Sequence, residues 1–340
     1  MTAPDRVGSA AATLLRGGRS TASVDRRGFL IAVLGAAAAC GTRRGRDALG
    51  AGFRCPPCGC DMDGVVFDHP GPCPACGMSL EPREEAELGR EPAAIPPGAS
   101  RFSMPGGPGR RAQRITVHAY RPGGFTPDSE LLLVVPGAGR DGAEYRNDWL
   151  EVSERTGTVV AALEYPEEDW DFAAYHLGGV AGRVEQRNAR VERRARSTVI
   201  HLDDDDFTVT VEADPRRWLF PDFDRAFELL RGATGARRER YLLFGHSAGG
   251  QILHRAALFR PELRTRRIVA ANAGFYTFPD LARPFPLGLA GTGLGEDDLR
   301  RALEVDLTLL LGELDNDDDA GGTLLHTPAV DRQGVGRLDR

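Results

Sequence analysis

The chain has 340 residues, enough for one large domain with appendages or for two domains. With 41% hydrophobic and 27% charged residues it has the composition of an ordinary globular protein. Its basic side chains are all arginine. The net charge of −6 becomes −9 once residues 1–39, with five arginines and two aspartates, are removed. That balance excludes a general polyanion-binding surface, and with it nucleic acid as a partner.

Residues 1–40 read as an export signal rather than as fold. A charged head, Asp25-Arg26-Arg27, precedes the apolar stretch Phe29–Ala39 and the small residues Ala37-Ala38-Ala39 before Cys40. Arg26-Arg27-Gly28-Phe29-Leu30 resembles a twin-arginine signal. Eleven residues are too few to span a bilayer as a helix. Ala-Ala-Ala-Cys loosely matches a lipoprotein box, so two outcomes stand: lipidation of Cys40, which would give the protein a lipid anchor, or ordinary cleavage after an alanine.

Five of the six cysteines fall within residues 55–76. Cys55-x-x-Cys58 and Cys73-x-x-Cys76 are two knuckles with fourteen residues between them. Four sulfurs so spaced complete a tetrahedral shell for zinc or another soft divalent metal, with Cys60 as a spare or substitute ligand. The segment 53–82 resembles the small heavy-metal-binding domain of some metal-transport and exported proteins. The match is close over Cys73-Pro74-Ala75-Cys76-Gly77-Met78-Ser79-Leu80, whereas Cys58 stands where that family has histidine, and sulfur favours softer ions. A pair of disulfides is the competing reading for an exported chain. About thirty residues bury too little to fold unaided, so one kind of cross-link is required. Residues 83–113, rich in proline and glycine, have the composition of a linker.

From residue 114 strand-like and helix-like runs alternate. Strands are expected at 115–120, 131–136, 158–165, 241–247, 267–274 and 306–315, and helices at 143–156, 221–232, 249–259 and 297–304. Near-continuous apolar strands imply a mostly parallel sheet covered on both faces, and the alternation implies a doubly wound α/β domain. The acidic run 203–206 reads as a solvated hairpin turn.

Residues 241–251, YLLFGHSAGGQ, are strand, tight turn and helix with a serine at the tip. Gly245-His246-Ser247-Ala248-Gly249 in that context suits a nucleophile elbow, whose glycines let strand and helix pass close to a strained serine. A glycine-rich turn with a capping serine is the plainer alternative.

Over residues 114–340 the chain resembles the α/β-hydrolase fold, and is most similar to exported esterases and polyhydroxyalkanoate-depolymerase-like proteins. The residues that carry the resemblance are VVPGAGRDGAEYRNDW, FGHSAGGQILHRAALFRPE, AANAGFYTFPD and LLLGELDND. The resemblance implies a serine hydrolase acting on a small-molecule or polymeric ester, with no cofactor for hydrolysis. Ser247 is then the nucleophile, and the backbone N–H groups of Ala138 and Ala248 form the oxyanion hole. Asp315 is the triad acid, with Asp317, Asp318 and Asp319 as competitors.

The triad order in this fold is Ser, acid, His. Only His326 of the seven histidines follows Asp315, and it sits in GGTLLHTPAV, read as a loop entering a helix at Pro328. His254 lies on the helix after Ser247, about 10 Å along its axis. The tail resembles mid-domain sequence in the relatives, so the last strand and the catalytic histidine are expected to be absent. Three readings follow: a C-terminally truncated serine hydrolase, a catalytically inactive envelope binding protein carrying a metal module, or an esterase that recruits His326. Trp170, Tyr175, Tyr276 and Phe278 are candidates for a substrate pocket, against the default that such side chains pack inside.

Overall fold

The structure, a computed structural model, describes residues 52–195, 197–313, 315 and 322–334. The signal segment and Cys40 lie outside the described residues, as do Asp317, Asp318 and Asp319. Among the described residues no helix is long and apolar enough to cross a membrane.

The cysteine-rich segment forms a small sheet of β1 (Phe53–Arg54), β2 (Val66–Phe67) and β3 (Glu81–Pro82), in the order β2-β1-β3. The chain then enters an eight-stranded sheet. Its members are β4 (Glu85–Arg90), β5 (Gly98–Pro105), β6 (Arg114–Arg121), β7 (Leu131–Val135), β8 (Val159–Glu164), β13 (Tyr241–His246), β14 (Thr265–Ala271) and β15 (Leu307–Leu310). The order is β15-β14-β13-β7-β8-β6-β5-β4. The five strands from β15 to β8 run parallel, and β6 pairs antiparallel with both β8 and β5.

Alternation along each central strand assigns side chains to two apolar layers. Leu131, Leu133, Val135, Tyr241 and Leu243 face one layer, while Leu132, Val134, Leu242 and Phe244 face the other. The first layer is closed by α4 (Pro221–Thr234) and α5 (Ala248–Phe259), through Phe223, Phe227, Ile252 and Leu253. The second is closed by Trp149 and Val152. Both faces being covered explains why these strands read as unbroken apolar runs.

All six expected strands form. The expected helix 143–156 is two helices, α1 (Gly142–Asn147) and α2 (Leu150–Thr156). The break lets Arg146 and Trp149 both turn inward, with Trp149 edge-on to Phe244 at 5.1 Å. The later helices, α4, α5 and α6 (Glu296–Ala302), match their expected positions.

Three expectations are corrected. Residues 83–113 are not a linker, because β4 and β5 belong to the main sheet and Ile95, Phe102 and Met104 are buried. The sheet therefore begins at residue 85 rather than 114. Residues 203–206 do not turn a hairpin: β11 (Ser197–His201) pairs with β10 (Arg190–Arg193) and β16 (Gly322–His326), whereas β12 (Phe207–Val211) pairs with β9 (Ala181–Gln186). Asp204 instead accepts the backbone N–H of Ala329 at 2.8 Å and pairs with Arg332. Finally, residues 322–326 are a strand rather than a loop. They join β10 and β11 in a separate three-stranded sheet, so among the described residues β15 is the last strand of the main sheet.

Candidate active site and cysteine cluster

β7 connects onward to β8 on one side of the sheet, and β13 to β14 on the other. The crevice between β7 and β13 is thus the point where the winding reverses, the position at which such sheets bind ligands. Two segments meet there: the turn after β13, which carries Ser247, and the loop Pro136–Arg140 after β7.

Ser247 has φ 56° and ψ −114°, a conformation that costs an L-residue energy and that its surroundings must hold. Its N–H bonds the carbonyl of Ala271 at 2.9 Å, and its carbonyl accepts from Gln251 N. The glycines are required by contact. A Cβ on Gly249 would lie 2.1 Å from the Val135 carbonyl oxygen, and one on Gly245 would lie 2.6 Å from the Gly249 backbone. Ala248, 1% exposed, opens α5, where backbone N–H groups face outward.

The loop after β7 reaches the serine. A Cβ on Gly137 would sit 3.5 Å from Ser247 Cβ, so the loop that continues into Ala138 passes against the serine. Tyr175, a pocket candidate from sequence, is instead fully buried, and its hydroxyl donates to the Pro136 carbonyl at 2.8 Å. Arg140 closes the loop by donating to the Tyr165 carbonyl at 2.9 Å and lying over the Tyr175 ring. Trp170 is likewise core, with its indole N–H on the Arg114 carbonyl. Tyr276 is buried, and only Phe278 of the four candidates is exposed.

Asp315 lies past β15, in a turn closed by its N–H on the Gly312 carbonyl at 3.0 Å. Asn272, at the end of β14, accepts from Gly312 N at 2.7 Å and so ties this turn to the strand next to the elbow. The Asp315 carboxylate is close enough to Tyr276 to help raise that phenol to about 12, although burial is the larger cause.

All seven histidines are described residues. His254 is structural: its ring bonds the Gly250 carbonyl at 3.0 Å and accepts from Thr277 N at 2.9 Å. His118 bonds Glu164 at 2.8 Å, and His69 bonds Asp68. His176 stacks on Phe172. His326 bonds Asp331 at 2.8 Å and stacks on His201, which faces Glu192. His246 Nδ1 is hydrogen-bonded to the Tyr145 hydroxyl at 3.0 Å. Among the described residues none is hydrogen-bonded to Ser247 Oγ. Tyr145 carries no sequence signal, because a tyrosine on a short helix belongs to no motif.

The cysteine segment gathers its sulfurs. Cys55 Sγ lies 3.7, 3.8 and 3.5 Å from those of Cys58, Cys60 and Cys76, and Cys58 lies 3.7 Å from Cys76. Metal–sulfur bonds of about 2.3 Å in a tetrahedron give edges of about 3.8 Å. The four sulfurs therefore fit one zinc-sized ion, and their spacing is far from the roughly 2.05 Å of a disulfide. Where spacing makes Cys73 the fourth ligand and Cys60 the spare, the four mutually close sulfurs are those of Cys55, Cys58, Cys60 and Cys76. Gly59, with φ 76°, turns Cys60 back toward the cluster. Cys73, 2% exposed, is drawn into an apolar cluster and stays 3.9 Å from Cys60 Sγ.

No family model matches the chain, and no curated protein does. Solved structures do match. The poly(aspartic acid) hydrolase-1 of Sphingomonas sp. KT-1 is 33% identical, over 72% of this chain and 83% of that one, with a TM-score of 0.60. LpqC, a poly(3-hydroxybutyrate) depolymerase from Bordetella parapertussis, is 30% identical over 72% of this chain and 74% of that one, with a TM-score of 0.59. Identity at this level over most of each relative's length agrees with a sheet that sets a strained serine where its winding reverses, and the chain belongs to the α/β-hydrolase superfamily.

Proposed function

We propose that this chain is an exported serine hydrolase of carboxylic esters, small or polymeric. Ser247 is its nucleophile, the N–H groups of Ala138 and Ala248 its oxyanion hole and Asp315 its triad acid. The backbone of Ser247, at φ 56° and ψ −114° on the switch-point end of β13, carries the reading. Such strain persists only where the surroundings enforce it, and here it falls on a serine at the point where the sheet's winding reverses. The names of the two relatives, a poly(aspartic acid) hydrolase and a poly(3-hydroxybutyrate) depolymerase, support a polymer with carbonyl links.

In the reaction Ser247 Oγ adds to the substrate carbonyl carbon, and its proton passes to a base. The oxyanion is held by the two backbone N–H groups, and collapse expels the alcohol, which takes that proton; water then adds to the acyl-serine carbonyl in the same way, releasing the acid and returning a proton to Ser247 Oγ. The proposal assigns no base, because among the described residues no histidine is hydrogen-bonded to Ser247 Oγ. The 340-residue chain is therefore expected to turn over esters slowly, roughly 10³–10⁴-fold above water rather than at the full rate of a triad. The same observation favours a second reading, a catalytically inactive binding protein of the envelope.

Fluorophosphonate labelling and p-nitrophenyl ester turnover test the proposal. Expected are a covalent adduct on Ser247 and a slow turnover, both abolished by Ser247→Ala. A chain that takes no label and whose turnover ignores Ser247→Ala is the binding protein.

Export by the twin-arginine route belongs to the same proposal, with Cys40 as the residue a lipid would occupy. Lysine at both Arg26 and Arg27 is expected to keep the protein in the cytoplasm, and unchanged fractionation removes that claim. The cysteine cluster is proposed to hold about one zinc or other soft divalent ion through Cys55, Cys58, Cys60 and Cys76, with Cys73 adjoining. When bound, the ion supplies the cross-link that a module this small requires.

A further inference from the structure

The cysteine module is built onto the catalytic sheet. Phe53, Cys55, Cys73 and Leu80 form one buried cluster with Ala99 of β5, Tyr120 of β6 and Leu150, the first residue of α2. β3 closes on β1, Arg83 N bonds the Gly52 carbonyl at 2.8 Å, and two residues later Glu85 opens β4. The module thus sets where Glu85 stands.

Glu85 reaches α1, the helix that follows the oxyanion loop. Its carboxylate is hydrogen-bonded to the guanidinium of Arg146, 3% exposed, and stands 3.7 Å from His118 Nδ1. His118 bonds Glu164 at 2.8 Å, and the Gly142 backbone at the start of α1 lies against both side chains. A Cβ on Gly142 would meet His118 at 2.4 Å, so the helix lies directly on this ion cluster. The residue next to Arg146 is Tyr145, whose hydroxyl bonds the histidine before Ser247. A helix of six residues has little stability of its own and takes its position from such anchors.

We propose that Glu85 and Arg146 are positioning residues for the oxyanion loop, and that metal in the cysteine cluster keeps Glu85 in place, so that the metal state of the module sets the order of residues 136–147. The second half rests on the metal reading above. Loss of the ion frees the module's chain, and the Glu85–Arg146 clamp slackens. α1 then loosens together with the loop that carries Ala138.

Hydrogen exchange on the full chain, zinc-loaded and after chelation under reducing conditions, reads this directly. Removing zinc is expected to speed exchange in 136–147 by about tenfold or more while β7 and β13 stay protected. Cys58→Ser alters an exposed ligand and leaves buried Cys55 and Cys73 in place; it is expected to act like chelation. Glu85→Gln is expected to bind zinc by elemental analysis, yet to exchange fast in 136–147 with or without it, and Glu85→Asp to restore part of the protection. The Ser247 phosphonylation rate is expected to fall in step with protection of 136–147, at an unchanged unfolding midpoint of the central sheet. Chelation that opens 53–82 but leaves 136–147 within about twofold overturns the coupling, as does loss of protection throughout the sheet. A chain that holds no zinc overturns the metal reading and the coupling with it, and Glu85→Gln still decides the positioning role.

Discussion

The Tyr145 hydroxyl lies 3.0 Å from Nδ1 of His246, the residue immediately before Ser247. This bond spans 101 positions in sequence and ties α1, the helix after the loop Pro136–Arg140, to the turn that strains Ser247. The two halves of the site are thereby registered on each other.

Tyr145→Phe removes that bond and leaves the ring. A single buried hydrogen bond is worth about 1 kcal/mol, so Ser247 phosphonylation is expected to slow by about fivefold with a small fall in unfolding midpoint. An unchanged labelling rate at unchanged stability would show that the bond does not hold the elbow.

Gly249→Ala places a methyl 2.1 Å from the Val135 carbonyl, where only backbone can yield. A loss of about 1–3 kcal/mol or more is expected in denaturant unfolding, along with loss of labelling. Gly232→Ala is the control. It lies inside α4 with nothing within 4 Å of the added carbon, and is expected to stabilise by about 0.5–1 kcal/mol. Equal effects would contradict the packing at the elbow.

The ion cluster under α1 has a defined pH window. Burial would raise Glu85, but His118 and Arg146 outweigh it and hold the carboxyl at about 2, below its ordinary 4.5. Its contribution is therefore full above 4.5 and is lost as pH falls toward 2. Burial lowers His118, yet Glu164 and Glu85 win and leave it above its ordinary 6.5. Its contribution is full below 6.5 and is lost as pH rises through the raised value. The stability difference between the natural chain and Glu85→Gln is expected to be greatest between about pH 4.5 and 6.5. A difference that stays flat from pH 2 to 9 refutes the clamp.

His326 has an acid partner in Asp331 but no bond to Ser247. His326→Ala is expected to leave ester turnover within about twofold, while Asp315→Asn lowers whatever Ser247-dependent rate is measured. Turnover that disappears with His326→Ala would make His326 the base.

Much of this molecule follows from local chemistry. The inner strands β7, β8, β13 and β14 are legible because both faces of the sheet are covered there, which forces unbroken apolar runs. The elbow is legible because a strained serine needs glycine on either side, and the cysteine module because thiol ligands keep short spacings. What sequence could not supply is pairing between distant segments. β4 and β5 look like linker because glycine and proline interrupt them, and only their partners across the sheet make them strands. Residues 203–206 look like a hairpin until β11 is seen to pair with β16, far along the chain. Spacing alone ranks Cys73 above Cys60, whereas the four mutually close sulfurs are those of Cys55, Cys58, Cys60 and Cys76, with Cys73 3.9 Å from Cys60. The Glu85–Arg146 pair joins residues 61 positions apart and carries no motif. It exists because the tertiary structure sets the cysteine module's sheet beside α1, and a buried guanidinium there requires a carboxylate.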